Sequence, residues 1–196
     1  MPFDIRRLLA DSLTDPRAAA RRVLNIGLGA ADAARAVVAL ACVSTILSFI
    51  AGRVVSFPVD PMTNAITAVP LLGAIVQAVA SFVFAGLTCL VGRFFGGYGS
   101  MVGALDIVIW LSVVTALLQV LQIVFLVILP PLSGILSVAS LIWVFWAFSN
   151  GAAELHGFAS AARVFSVTVL CMLIFGAVIA MAAAFLGVGS MLFPGA

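Results

Sequence analysis

The sequence contains no lysine, a single histidine (His156) and a single glutamate (Glu154), and only 8% of its 196 residues are charged. A soluble domain carries about 25% charged residues. All nine cations are arginine and the net charge is +2, which leaves no basic field for nucleic acid. Lone His156 and Glu154 fall short of the three protein ligands of a hydrolytic metal site. No histidine sits in an apolar run, so a serine or cysteine nucleophile there has no base. The three cysteines, Cys42, Cys89 and Cys171, each lie within apolar runs and at neither metal-ligand nor redox spacing. They read as small core hydrophobes. The expectation is no catalytic set, no metal and no cofactor.

What is abundant is apolar surface, 65% of the residues. One soluble core of this length cannot hide that much. The sequence therefore predicts an all-α polytopic membrane protein with five transmembrane helices and short amphipathic helices at the N-terminus. A spanning helix needs about 20 mostly apolar residues. The candidates are Ala33–Val55, Ile66–Val91, Met101–Leu129, Leu132–Ser149 and Val164–Leu186. Pro70 falls in the first turns of the second span, where proline is tolerated. Pro130-Pro131 breaks the third from the fourth. The stretch 57–63, with Pro58, Asp60 and Pro61, reads as a loop. Asn150–Ala162 reads as a polar loop carrying a solvated Glu154 and His156. Trp143 and Trp146 read as interfacial anchors of the fourth span.

Three regions follow: a cytoplasmic N-terminal tail over 1–32, a five-helix membrane domain over 33–188 and a C-terminal tail over 189–196. In the tail, Ile5, Leu8, Leu9 and Leu13 recur at helical spacing and predict a helix lying on the membrane surface. Asp15-Pro16 supplies a capping residue and an N1 proline for a second helix through Arg17, Arg21, Arg22 and Leu24. With the N-terminus in the cytoplasm, eight arginines (6, 7, 17, 21, 22, 35, 93 and 163) lie inside and only Arg53 outside. The C-terminus then lies on the opposite side.

The third span organises the rest. It is fed by Arg93-Phe94-Phe95-Gly96-Gly97-Tyr98-Gly99-Ser100, a glycine hinge whose glycines supply positive φ and a tight re-entry. Gly97-x-Gly99-x-x-x-Gly103 is not a nucleotide loop, since the spacing differs from G-x-G-x-x-G and no strand precedes it. Ser112, Thr115, Gln119 and Gln122 share one face of the span; Gln77, Ser81 and Thr88 put a weaker stripe on the second. The two uses open to them are interhelical hydrogen bonding and a polar groove for a ligand or solute. Asp106 is the acidic residue well inside a span, and such a charge is costly there. It lies about 180° around the helix from Thr115, and its expected partner is Arg93, across the hinge. Gly176, Ala180 and Ala184 form a small-residue packing face on the fifth span, for a helix of the same chain or of another copy.

Asp15-Pro16 before the first span, Gly96-Gly97-Tyr98-Gly99-Ser100 opening the third, and the fourth span with its polar loop resemble the Ypt-interacting protein (Yip) domain family. That resemblance covers nearly the whole chain and implies a cytoplasmic tail followed by five closely spaced membrane helices. Eukaryotic relatives are associated with Rab-type GTPases and vesicle traffic. The compact, tail-poor layout is similar to a bacterial member in the inner membrane, to which the Rab role is not carried over. The function expected is a non-enzymatic membrane scaffold or interaction protein, with membrane lipid, a membrane-protein partner or further copies of itself as partners and no nucleic acid. The alternative is a small channel or transporter using Ser112, Thr115, Gln119 and Gln122.

Overall fold

The computed structural model describes residues 5–54 and 69–185. Among the described residues seven helices follow in order: α1 (Ile5–Thr14), α2 (Pro16–Leu24), α3 (Ala30–Val54), α4 (Pro70–Phe94), α5 (Met101–Ile128), α6 (Pro130–His156) and α7 (Ala161–Phe185). Five of them, α3 to α7, are long and apolar enough to cross a membrane. The predicted loop around Pro58, Asp60 and Pro61, the start of the second span at Ile66, the side chain of Ala184 and the 189–196 tail lie outside the described residues.

Local chemistry sets the helix starts. Asp15 caps α2 by accepting from the Ala18 N–H at 3.1 Å, with Pro16 at the first helical position. Ser100 caps α5 by accepting from the Gly103 N–H at 3.0 Å. Pro70 and Pro130 open α4 and α6, where a missing N–H costs nothing.

Two helix ends share one device. At the end of α4, Gly96 turns to φ +85°, its N–H donates to the Arg93 carbonyl and the Gly97 N–H donates to the Gly92 carbonyl. At the end of α6, Gly157 turns to φ +73°, its N–H donates to the Glu154 carbonyl and the Phe158 N–H reaches the Ala153 carbonyl. Both are Schellman ends, which need a residue free to adopt left-handed φ.

The second end corrects the sequence reading. α6 does not stop at Ser149; it runs through Asn150–His156 as helix. Ala152, Ala153, Glu154 and Leu155 are good helix formers, and Ala152 and Ala153 are buried. Polar composition there marks a helix leaving the apolar slab, not a loop.

Helix α5 is the centre of the bundle. Its Ile107, Trp110, Leu111 and Val114 pack with Ala19, Ala20 and Val23 of α2 and with Trp143, Ala147, Phe148 and Ala152 of α6. Its Ala104, Leu105 and Val108 pack with Ala33 and Val37 of α3 and Ala85 and Cys89 of α4. Small residues at these contacts let the backbones close up, the packing that serves where lipid competes equally for apolar surface. Large apolar side chains such as Leu71, Leu90, Ile135, Ile142 and Leu173 point away from the bundle, as lipid-facing residues do.

The amphipathic N-terminal helices are present, and part of their apolar surface is turned to protein, while Leu13 stays exposed. Ala19 and Ala20 of α2 are fully buried, and Leu8 and Leu9 of α1 pack on the α5–α6 core. Through Leu8, Leu9, Ala19 and Ala20 the two helices form a cap on the bundle. On α7, which rests mainly on α6, Gly176 faces open space and Ala180 is exposed. Those two residues pack against no other helix among the described residues.

Candidate functional site

The most elaborate arrangement in the molecule forms where the hinge meets the end of α6. His156 is 2% exposed, contrary to the solvated residue expected from sequence. The Gly99 N–H donates to its Nδ1 at 3.1 Å, and its Nε2 lies 3.1 Å from the Thr88 carbonyl. A nitrogen that accepts carries no proton, so the pattern assigns the Nε2–H tautomer, donating to Thr88. Phe158 stacks on the ring, with centroids 5.6 Å apart. The Tyr98 N–H donates to the His156 carbonyl at 3.4 Å.

The hinge glycines make room for that ring. A Cβ added at Gly92, Gly97 or Gly99 would overlap the imidazole. Only Gly96 in the hinge has a positive φ. Positive φ, the role expected of the hinge glycines, thus applies to Gly96, whereas Gly97 and Gly99 provide space for a close approach.

Arg93 completes the turn instead of meeting Asp106. Its Nε donates to the Gly99 carbonyl at 3.0 Å, and the Cys89 thiol donates to the same oxygen at 3.4 Å. The expected Arg93–Asp106 pair is not formed. Asp106 is 3% exposed and its Oδ1 is buried with no hydrogen-bond partner. The reason is angular. Helix α4 packs on the Ala104–Leu105–Val108 face of α5, and at 100° per residue Asp106 lies about 150° around the helix from that face. Its neighbours one turn away are Gly103, where an added Cβ would meet Leu24 of α2, and Trp110, which bonds to α1. Asp106 thus faces the N-terminal cap, away from Arg93.

The cap is fastened at two points. The Trp110 indole donates to the Ser12 hydroxyl at 2.8 Å and the Trp143 indole to the Ser12 carbonyl at 3.0 Å; the two rings meet edge to face, with centroids 6.3 Å apart. Trp143 is buried and is no interfacial anchor, whereas Trp146 is exposed. At the second point Glu154 takes Arg17 Nε at 3.0 Å and Arg21 Nε at 2.7 Å. Its hydrogen bond and charge hold the Arg21 guanidinium above its ordinary pKa. Arg17 also donates to the Phe158 and Ala159 carbonyls, at 2.8 and 3.3 Å. Arg22 pairs with Asp11 at 2.8 Å and so ties α2 to α1.

The polar stripe of α5 divides. Gln119 donates to Ser48 of α3 at 2.9 Å, and Gln122 donates to Ser140 of α6 at 3.0 Å. Thr115 bonds the Leu111 carbonyl of its own helix, as Ser81 and Thr88 do to theirs. Ser44, Ser48, Gln77, Thr115 and Gln119 line a hollow of about 340 Å³ between α3, α4 and α5. Among the described residues no three His, Cys, Asp or Glu side chains gather as a metal would need.

Sequence reasoning missed His156, Gly92, Ser12 and Trp110 as parts of one assembly. The available signal was glycine at 92, 97 and 99, in excess of what one turn needs.

No curated protein and no solved structure is significantly similar to the chain. Residues 10–193, which span the N-terminal cap and the helices long and apolar enough to cross a membrane, match the family model of the Yip1 domain. The chain is a multi-pass membrane protein belonging to the Yip1 domain family.

Proposed function

We propose that this protein is a non-enzymatic scaffold or interaction protein of a bacterial inner membrane, with the cap, the hinge and the α6–α7 turn in the cytoplasm and the C-terminus across the membrane. One observation carries the reading. The single histidine and the single glutamate are already engaged: both ring nitrogens of His156 face backbone partners and Glu154 is held by two arginines. A general acid or base must reach a substrate proton, and these groups already hold other partners. What the fold presents outward is a braced set of helices and an arginine-bearing cap, suited to a membrane-protein partner or to anionic lipid. The orientation rests on arginine: Arg17, Arg21, Arg22, Arg93 and Arg163 gather at the hinge end.

The test is gentle-detergent copurification from the native membrane, with reconstitution in liposomes alongside. A scaffold brings down a defined partner and carries no solute flux. The second reading, a small channel or transporter, draws support from the polar hollow at Thr115 and Gln119; the separate bonds of Gln119 and Gln122 to different helices weigh against a continuous path. Flux abolished by Gln119→Leu would favour it. Orientation is read by Ser160→Cys labelling with an impermeant thiol reagent and a reporter fused at Ala196. Labelling from the cytoplasm and a reporter on the far side are expected; both in one compartment sinks the topology.

A further inference from the structure

Helices α4 and α7 stand apart on the surface of α6, and a cleft of about 630 Å³ opens between them. That is the size of a small-molecule site. Its long axis is apolar: Phe84 and Leu87 on one wall, Phe148 on the floor, Val167 and Met172 on the other wall. From Phe84 to Phe95 the α4 wall runs about 16 Å at 1.5 Å per residue. Since α4, α6 and α7 are all membrane-crossing helices, the cleft lies among lipid tails.

The hinge end is different. Arg163 and Ser160 stand at the rim. Arg163 is exposed, and among the described residues its guanidinium has no ion-pair or hydrogen-bond partner. It sits in the first turn of α7, where its own N–H donates to the Ser160 hydroxyl at 3.4 Å and the helix end adds partial positive charge. No acidic residue lines the cleft. His156, which also borders it, has both nitrogens engaged and offers no competing charge site. One cationic end followed by an apolar trough is complementary to an amphiphile with an anionic head and a hydrocarbon chain.

We propose that the α4–α7 cleft is a binding site for one anionic phospholipid, its phosphate at Arg163 and one acyl chain along the Phe84–Phe148–Val167 trough. The assignment does not rest on the scaffold reading. The rim of this site is fixed by the N-terminal cap: Arg17 of α2 holds the carbonyls of Phe158 and Ala159, which form the turn at the headgroup end of the cleft.

The full chain in mild detergent, examined by native mass spectrometry, tests the proposal. Phosphatidylglycerol and phosphatidylcholine with identical chains are added in turn. The wild type should retain phosphatidylglycerol about fivefold more than phosphatidylcholine, the size of one arginine's attraction at an anionic surface. Arg163→Gln should erase that preference and Arg163→Lys should keep most of it. Arg163 has no internal partner, so these variants fold, and they decide the matter even where a bulkier change does not accumulate. Val167→Trp, which fills the trough, should lower retention of both lipids. Equal retention of the two lipids by the wild type, or a preference that survives Arg163→Gln, overturns the site. So does a chain that purifies as a dimer excluding lipid and dissociated by Val167→Trp, because a second copy then occupies the cleft.

Discussion

Replacing His156 by alanine tests the hinge–α6 contact most directly. The change strips the buried Gly99 N–H of its acceptor, at about 1–3 kcal/mol for an unsatisfied buried donor. It also empties the space held open by Gly92, Gly97 and Gly99, and large-to-small core changes cost about 2–5 kcal/mol in total. The combined loss is therefore about 3–8 kcal/mol, a large share of the 5–15 kcal/mol that holds most folded domains. Reversible unfolding in mixed micelles, followed by the fluorescence of the buried Trp110 and Trp143, measures it. A double-mutant cycle sharpens the claim. Gly99→Ala alone places a methyl inside the imidazole and should destabilise strongly. In the His156→Ala background the vacated space accepts that methyl, so the second change should cost much less, with a coupling of about 1–3 kcal/mol. Strict additivity, or a His156→Ala protein as stable as wild type, would refute the packing argument.

Three further outcomes are expected. Glu154→Gln should loosen the cap without unfolding the bundle, read as faster tryptic cleavage after Arg17, Arg21 and Arg22 in the purified protein, because both guanidiniums of the clamp lose their carboxylate; unchanged cleavage would show that the clamp does not hold α2. Ser12→Ala should cost about 1–2 kcal/mol in the same micelle assay, since Trp110 loses its acceptor while the Trp143 bond to the Ser12 carbonyl survives, and a loss below 0.5 kcal/mol, roughly the lower limit for such a bond, counts against it. Asp106→Asn should leave stability unchanged or raised, as a buried carboxylate oxygen without a partner is replaced by a neutral group, and should show no coupling to Arg93→Gln; a clear coupling would restore the Arg93–Asp106 pair.

The spans were legible because long apolar runs bounded by proline, glycine and arginine have few other meanings. The Asp15-Pro16 start was legible because capping is local chemistry. What sequence did not convey was destination. An amphipathic helix has the same pattern whether lipid or protein covers it, so the docking of α1 and α2 on α5 and α6 was hidden. Residues 150–156 have the polarity of a loop but the helix propensity of a helix end, and composition alone does not separate the two. The Gly99–His156 bond joins positions 57 residues apart, and no local pattern encodes such a meeting. Arg93 and Asp106 fall on the same side of the membrane, yet proximity along the membrane normal says nothing of azimuth around α5.

The turn after α6 is also a matter of timing. Gly99, Thr88, Arg17 and Arg21 are all made well before Glu154 and His156, the residues that engage them. A chain growing from its N-terminus therefore enters the membrane with its hinge unfilled and its first two helices unclamped. Those contacts close together only once the end of the fourth span emerges. Until then α2 lacks its Glu154 clamp, and the growing bundle is held by the packing of α3, α4 and α5 on one another and by the bonds of Ser12 to Trp110 and Trp143.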